Sequence, residues 1–240
     1  MSRPEKPVVI VTGASSGIGL GIVQALRNEY RIVGTSRSIT KSKELKAAPD
    51  LVLVDGDAAL RETAVKVAKA AIEHFGRIDL LVNNAGIFIP KPFTDYTEDD
   101  YNLVMGTNVA SFFYMTQQVV PQMEKQKEGH VVSISAVIAD QPGGGVLALT
   151  AVLSKSTMPA ASKALALEYA ASNIRFNVVS AGVIDTPMHA KDDHVALAKF
   201  HPLNRMGEIS DVVGAVLYLQ GAKFVTGENI RVDGGVHAGR

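Results

Sequence analysis

Apolar runs and helical stripes alternate along this chain. Val8-Val9-Ile10-Val11 is apolar without alternation, as in a parallel strand buried on both faces, and Leu20, Ile22, Val23 and Leu26 then recur at helical spacing. Residues 8–19 therefore read as a strand, a tight turn and a helix start. Residues 31–35 and 51–54 predict two more strands, with a Ser- and Lys-rich loop between them. Residues 58–75 predict a helix carrying Val65, Ala68, Ala71, Ile72 and Phe75 on one face, and Gly76 stops it before a strand at 78–82. Asn83-Asn84-Ala85-Gly86 ends that strand. Beyond it the pattern predicts a long helix over 98–125, a strand over 130–135 and a helix over 154–171. A strand over 174–179, a shorter helix over 211–219 and a last strand over 229–232 close the chain. Repeated βα units with short connections imply one parallel sheet with helices on both faces, and ligands at the carboxyl ends of its strands.

Composition narrows the partners. With 240 residues, 47% of them hydrophobic, the chain can bury the core of a single α/β domain. Lys+Arg 24 balance Asp+Glu 24, so no net field draws nucleic acid or an anionic membrane, and small molecules are the expected partners. Cysteine is absent, which excludes disulfides, thiolate catalysis and cysteine metal sites. The N-terminal stretch has no apolar signal segment, and nowhere do 18 apolar residues run together; a soluble cytoplasmic protein is expected.

The chemistry begins at the first turn. Gly13 can take the positive φ needed to leave the strand, Gly17 lets backbone approach a pyrophosphate, and Gly19 lets the helix pack close to its strand. Ser15, Ser16 and Ile18 complete a helix start whose unpaired N–H groups carry partial positive charge, which suits an anionic dinucleotide. The same glycines would also serve simply to shape a βα turn. Residues 185–202, including Thr-Pro-Met-His-Ala-Lys-Asp-Asp-His, are the least regular stretch. They read as a substrate lid or as a plain surface excursion. His189, His194 and His201 fall in this stretch at spacings unlike a metal site, so no metal is expected; one of them could donate a proton.

Taken together, Thr12–Gly19 as TGxxxGxG, Asn83–Gly86 as NNAG, Asn108 in Gly-Thr-Asn-Val and Val232-Asp233-Gly234-Gly235 resemble the short-chain dehydrogenase/reductase family over nearly the whole length. The resemblance implies a single-domain, Rossmann-type, doubly wound sheet of about seven strands and a nicotinamide cofactor exchanging hydride with a small carbonyl or alcohol. It also implies a homo-oligomer, a tetramer, which the apolar-rich stretches 158–171 and 212–219 support.

Against that pattern the family's Ser and Tyr are replaced. Lys155 matches the active-site lysine, yet Ala151 stands four residues earlier and Ala136 occupies the serine position. Ketone reduction needs a proton for the developing alkoxide, and loss of a general acid typically lowers the rate ~10²–10⁴-fold. Ser135 is the nearby hydroxyl that could touch the substrate oxygen. A water between Lys155 and Asn108, at a distortion of the long helix, is the other option, with Asn108 as an ordinary satisfied polar residue the plainer reading. Pro159, four residues after Lys155, costs little if the helix starts near 154–156; an earlier start predicts a kink, and a late start is the expected case. The Gly143-Gly144-Gly145 run leaves room for a rearranged loop.

The resemblance also assigns the cofactor contacts. Ser36 replaces the acidic residue that binds a free ribose 2′-hydroxyl and Arg37 offers a guanidinium fork, so NADP is expected over NAD, unless Arg37 is merely solvated. Asp55 and Gly56 would border the adenine, or Asp55 would cap the next helix. Asn84, Ala85 and Gly86 would pass close to a ribose. Gly182, Ile184 and Thr186 would meet the nicotinamide carboxamide. Catalytic turnover and a cofactor-binding sensor or scaffold both remain open, as does reduction of a ring or double bond that needs no tyrosine acid.

Overall fold

The computed structural model describes residues 6–143 and 146–239, so residues 1–5 of the N-terminal stretch and Gly144 and Gly145 of the glycine run lie outside the described residues. Seven parallel strands pair in the order β3-β2-β1-β4-β5-β6-β7. They are β1 (Val8–Thr12), β2 (Arg31–Ser36), β3 (Leu51–Asp55), β4 (Leu80–Asn83), β5 (Gly129–Ala136), β6 (Ile174–Ala181) and β7 (Asn229–Val232). The helices are α1 (Gly17–Leu26), α2 (Arg61–Phe75), α3 (Glu98–Met105), α4 (Ser111–Gln126), α5 (Leu149–Glu168), α6 (His194–Ala198) and α7 (Ile209–Gly221). The sheet is the doubly wound, Rossmann-type arrangement.

All five residues of β1 are buried, and alternate side chains serve different layers. Val9 and Val11 pack with Ile22, Val23 and Leu26 of α1 and Val212, Val216 and Leu219 of α7. Val8 and Ile10 pack with Ala64, Val67 and Ala71 of α2 and Met115, Val119 and Met123 of α4. Strand order reverses beside β1, whose neighbours are β2 and β4, and a crevice opens there at the carboxyl ends.

Several boundaries differ from those read off the sequence. β4 starts at Leu80 because the Ile78 backbone is occupied by Gln126, whose Oε1 accepts the Ile78 N–H at 2.9 Å and whose Nε2 donates to its carbonyl at 2.7 Å. On α2 the buried stripe is Ala64, Val67, Ala68, Ala71 and Phe75, while Val65 and Ile72 are 41% and 40% exposed. Val65 and Ile72 sit about 100° around the helix from Ala64 and Ala71, and the small alanines allow the closer approach to the sheet. The long helix is interrupted by a π-helical segment, Gly106–Ala110. Finally, α5 starts at Leu149 rather than near Ser154, so Pro159 lies in its interior and not in its first turn.

Candidate active site

Strand ends and the segments that follow them build one cavity of about 610 Å³. That size suits a cofactor with a small substrate. At the end of β1, Gly13 has φ +63°, and a Cβ there would lie 2.9 Å from Asn84 Nδ2. Both conformation and space demand glycine. Gly19 plays the packing role expected of it: a Cβ would fall 2.2 Å from the Gly13 carbonyl oxygen, and the residue is not on the cavity wall. Ser16 begins α1 in extended conformation without a side-chain capping bond. The first-turn N–H groups of α1 thus lack the cap that would neutralise their partial charge, and Ser15, Ser16, Gly17 and Ile18 all face the cavity.

Thr12 fastens the neighbouring strand end. Its Oγ1 accepts the N–H groups of Asn84 at 2.9 Å and Ala85 at 3.0 Å, while Asn84 Nδ2 donates to the Thr12 carbonyl at 2.9 Å. Asn84, Ala85 and Gly86 are held on the wall as a result. Ser36 and Arg37 line it at the end of β2, and Gly56 at the end of β3. Asp55 does not reach the cavity. Its carboxylate accepts the Thr40 N–H at 2.9 Å and the Thr40 hydroxyl, bonds that lower its pKa, and the N-cap of α2 is Leu60. Asp55 is therefore tied to Thr40 and does not cap α2, and Asp57 and Ala58 line the wall beside Gly56.

A second part of the wall is formed by Ser135, Ala136, Ala151 and Lys155 with Gly182, Ile184 and Thr186. The two alanines at the expected Ser and Tyr positions do stand on the wall beside Lys155. Burial lowers the Lys155 amine to about 8, and Nζ donates to the Ile134 carbonyl at 3.1 Å. A Cβ on Gly86 would lie 2.9 Å from Nζ, so that glycine clears the lysine's place. Ser135 Oγ donates to the Lys155 carbonyl at 2.9 Å, which commits its proton to backbone and not to a substrate oxygen. Asn108 lies behind the wall. Its Oδ1 accepts the Ile87 N–H at 2.8 Å, and its Nδ2 donates to the Ile87 carbonyl at 3.1 Å and to Ser154 Oγ at 2.9 Å. The expected helix distortion is present, and within it Asn108 is a satisfied polar residue that clamps the chain after Gly86.

From residues 185–202, Met188, His189, Leu197, Phe200 and His201 cover one side of the cavity. His189 Nδ1 pairs with Asp192 Oδ2 at 2.8 Å. His201 Nε2 accepts the Val183 N–H at 3.0 Å, and burial lowers its pKa, so its neutral ring orients the turn after β6. His194 donates from Nε2 to the His189 carbonyl at 2.9 Å and is not on the wall. Among the described residues no cluster of His, Cys, Asp or Glu could hold a metal ion, and no helix is long and apolar enough to cross a membrane. Sequence reasoning passed over Ser38, Asp57 and Ala58; their adjacency to Arg37 and Gly56 was the available signal.

A doubly wound sheet with an anion-receptive glycine turn at its switch point defines the class of nucleotide-binding α/β proteins. Residues 13–237 match the family model described as enoyl-(acyl carrier protein) reductase. The chain is 34% identical over 98% of its length to the 3-oxoacyl-[acyl-carrier-protein] reductase FabG of Thermotoga maritima, covering 99% of that protein. It is 30% identical over 97% of its length to FabG of Escherichia coli, covering 98%. Among solved structures, gox2181 superposes with a TM-score of 0.90 at 27% identity, covering 99% of this chain and 98% of that one. ElxO with NADP bound gives 0.88 at 25% identity, covering 98% and 100%. The chain belongs to the short-chain dehydrogenase/reductase family.

Proposed function

We propose that this chain is a single NADP(H)-dependent oxidoreductase domain acting on a small carbonyl or alcohol, with alanine where the family's tyrosine acid stands. The observation that carries the reading is the shared wall: the uncapped start of α1, Arg37 and Lys155 all face one cavity. NADP(H), when bound, supplies or accepts the hydride. The N–H groups of α1 with Ser15 and Ser16 hold its pyrophosphate, and Ser36 with Arg37 takes the 2′-phosphate. Asn84, Ala85 and Gly86 let the chain pass the nicotinamide ribose, which Lys155 grips, while Ile184 backbone and the Thr186 hydroxyl orient the carboxamide. Phe88, Val137, Ile138 and Phe200 give the remaining wall an apolar character suited to a small apolar-bodied substrate, with 185–202 as its lid. For the alkoxide, the proton-carrying side chains on this wall are Lys155 and His189, the latter held by Asp192.

Methyl groups at Ala136 and Ala151 favour a second reading, a cofactor-binding sensor without turnover. Because the chain has Trp 0, NADPH emission can be titrated with little interference. NADPH binding tighter than NADH, followed by turnover on a panel of carbonyls and alcohols, supports the first reading; equal affinities refute the NADP assignment. Tight binding with no turnover across the panel selects the sensor. Self-association is part of the proposal, supported by Leu167 and Tyr218 lying 83% and 59% exposed, and a monomeric mass by light scattering would remove it.

A further inference from the structure

Pro159 sits inside α5 four residues after Lys155. A proline has no N–H, so the donor that the Lys155 carbonyl would find one turn ahead does not exist. A buried carbonyl without a partner is costly. The missing donor is replaced from the sheet, because Ser135 Oγ reaches across from β5 to the Lys155 carbonyl at 2.9 Å. Ser135 is 3% exposed and pairs with Ser180 of β6, two residues beyond Ser133 where the pairing with β4 ends, so the hydroxyl is delivered from an ordered strand. The adjacent residue, Ile134, accepts from Lys155 Nζ at 3.1 Å. Two consecutive residues of β5 therefore hold Lys155 at both its ends, backbone and amine.

We infer that Ser135 is a positioning residue: its hydroxyl substitutes for the N–H that Pro159 lacks and thereby sets where the Lys155 amine stands on the cavity wall. Ser135 acts through Lys155, its hydroxyl proton committed to the Lys155 carbonyl. The two positions form a reciprocal pair. A serine at 135 is needed because a proline is at 159, and with an N–H restored at 159 the helix closes its own bond. The inference deepens the cofactor-site reading above, and one of its measurements is independent of that reading.

The test is a cycle of Ser135→Ala, Ser135→Thr, Pro159→Ala and the double variant Ser135→Ala/Pro159→Ala. The first readout is the titration of the Lys155 ε-carbon resonance in ¹³C-lysine-labelled protein, assigned by its absence in Lys155→Met. The second is NADPH affinity. In the wild type the midpoint is expected near 8, burial holding it below the ordinary 10.5. Ser135→Ala should move that midpoint upward by about one unit as the turn loosens and water reaches the amine, and should weaken NADPH binding roughly tenfold. Ser135→Thr keeps the hydroxyl and should keep both values. The double variant regains a donor at position 159 and should return both to the Pro159→Ala values. An unmoved Lys155 midpoint in Ser135→Ala, or an equal shift with and without Pro159, overturns the inference. Should Ser135→Ala fail to fold, a folded double variant supports it and an unfolded one overturns it. A wild type that does not bind NADPH removes the functional reading, while the Lys155 titration still decides this one.

Discussion

The two ends of the sheet are built on opposite principles. Where the strands begin, polar side chains are saturated, most of them by partners far away in sequence. Asp79 Oδ2 accepts the Val8 N–H at 2.7 Å, and its carboxylate also takes Arg77. Arg175 Nη1 donates to the carbonyls of Leu219, Ala222 and Val225 at 2.9, 3.1 and 2.9 Å, and Nη2 lies 2.9 Å from His130 Nδ1. Asn177 Nδ2 reaches His130 Nε2 at 3.0 Å. Where the strands end, the walls are glycine, alanine and small hydroxyls, and α1 starts without a side-chain cap. One end closes the fold by satisfying every donor it can, and the other keeps donors available for a ligand. Stability and function are thereby assigned to different edges of one sheet.

The largest test of this contrast is acid. Burial, with the Arg175 charge beside it, lowers His130 to about 3 from 6.5. A group depressed in the folded state contributes stability that is complete above its unfolded value, so this contribution is lost as pH falls from 6.5 through about 3. At 1.36 kcal/mol per unit the full loss approaches roughly 5 kcal/mol, of which about 3 kcal/mol falls above pH 4. Urea unfolding at pH 7 and pH 4 should show it, and His130→Gln should flatten the difference; an unchanged pH slope would separate His130 from the fold's acid lability.

Arg175→Ala comes next, with an expected loss of about 3 kcal/mol because three backbone carbonyls lose one charged donor. NADPH affinity of the folded protein should not change. A loss of affinity equal to the loss of stability would mean the two edges are not independent.

At the open edge, Ala151→Tyr places a phenol one helical turn before Lys155. Reduction of an activated ketone should rise by ~10²-fold, with unfolding free energy nearly constant. If the variant folds and binds NADPH but turns over no faster, while His189→Gln abolishes wild-type activity, the proton comes from the His189–Asp192 pair. The smallest expected effect is Arg37→Asp, which should reverse the preference for NADPH over NADH by about tenfold in affinity and leave stability alone. An unchanged preference would place the 2′-phosphate elsewhere.

Legibility in the sequence followed the range of the interaction. Val8–Thr12, the glycine turn and the start of α1 could be read because hydrophobic period and glycine conformation act over a few residues. Asp55, Asn108 and Ser135 could not. Each has a side chain able to serve several partners, and Thr40, Ile87 and the Lys155 carbonyl lie 15, 21 and 20 residues away. The start of α5 was misplaced for the same reason. Local rules make a proline after Lys155 a helix-start residue, and only a hydroxyl arriving from β5 makes it tolerable in the interior.

By itself, then, the sequence determined the alternation of strands and helices, the parallel sheet, the glycine turn and the two alanines, Ala136 and Ala151, near Lys155. These depend on burial periodicity and on residue identity, both of which are properties of the chain order. Tertiary structure alone decided that Asp55 turns to Thr40, that Asn108 clamps Ile87 behind the wall and that Arg175 ties the end of α7 to the sheet. Those outcomes depend on which donors and acceptors the packed elements bring within about 3 Å of one another, and a hydrogen bond at that range is set by the meeting of elements and not by their order.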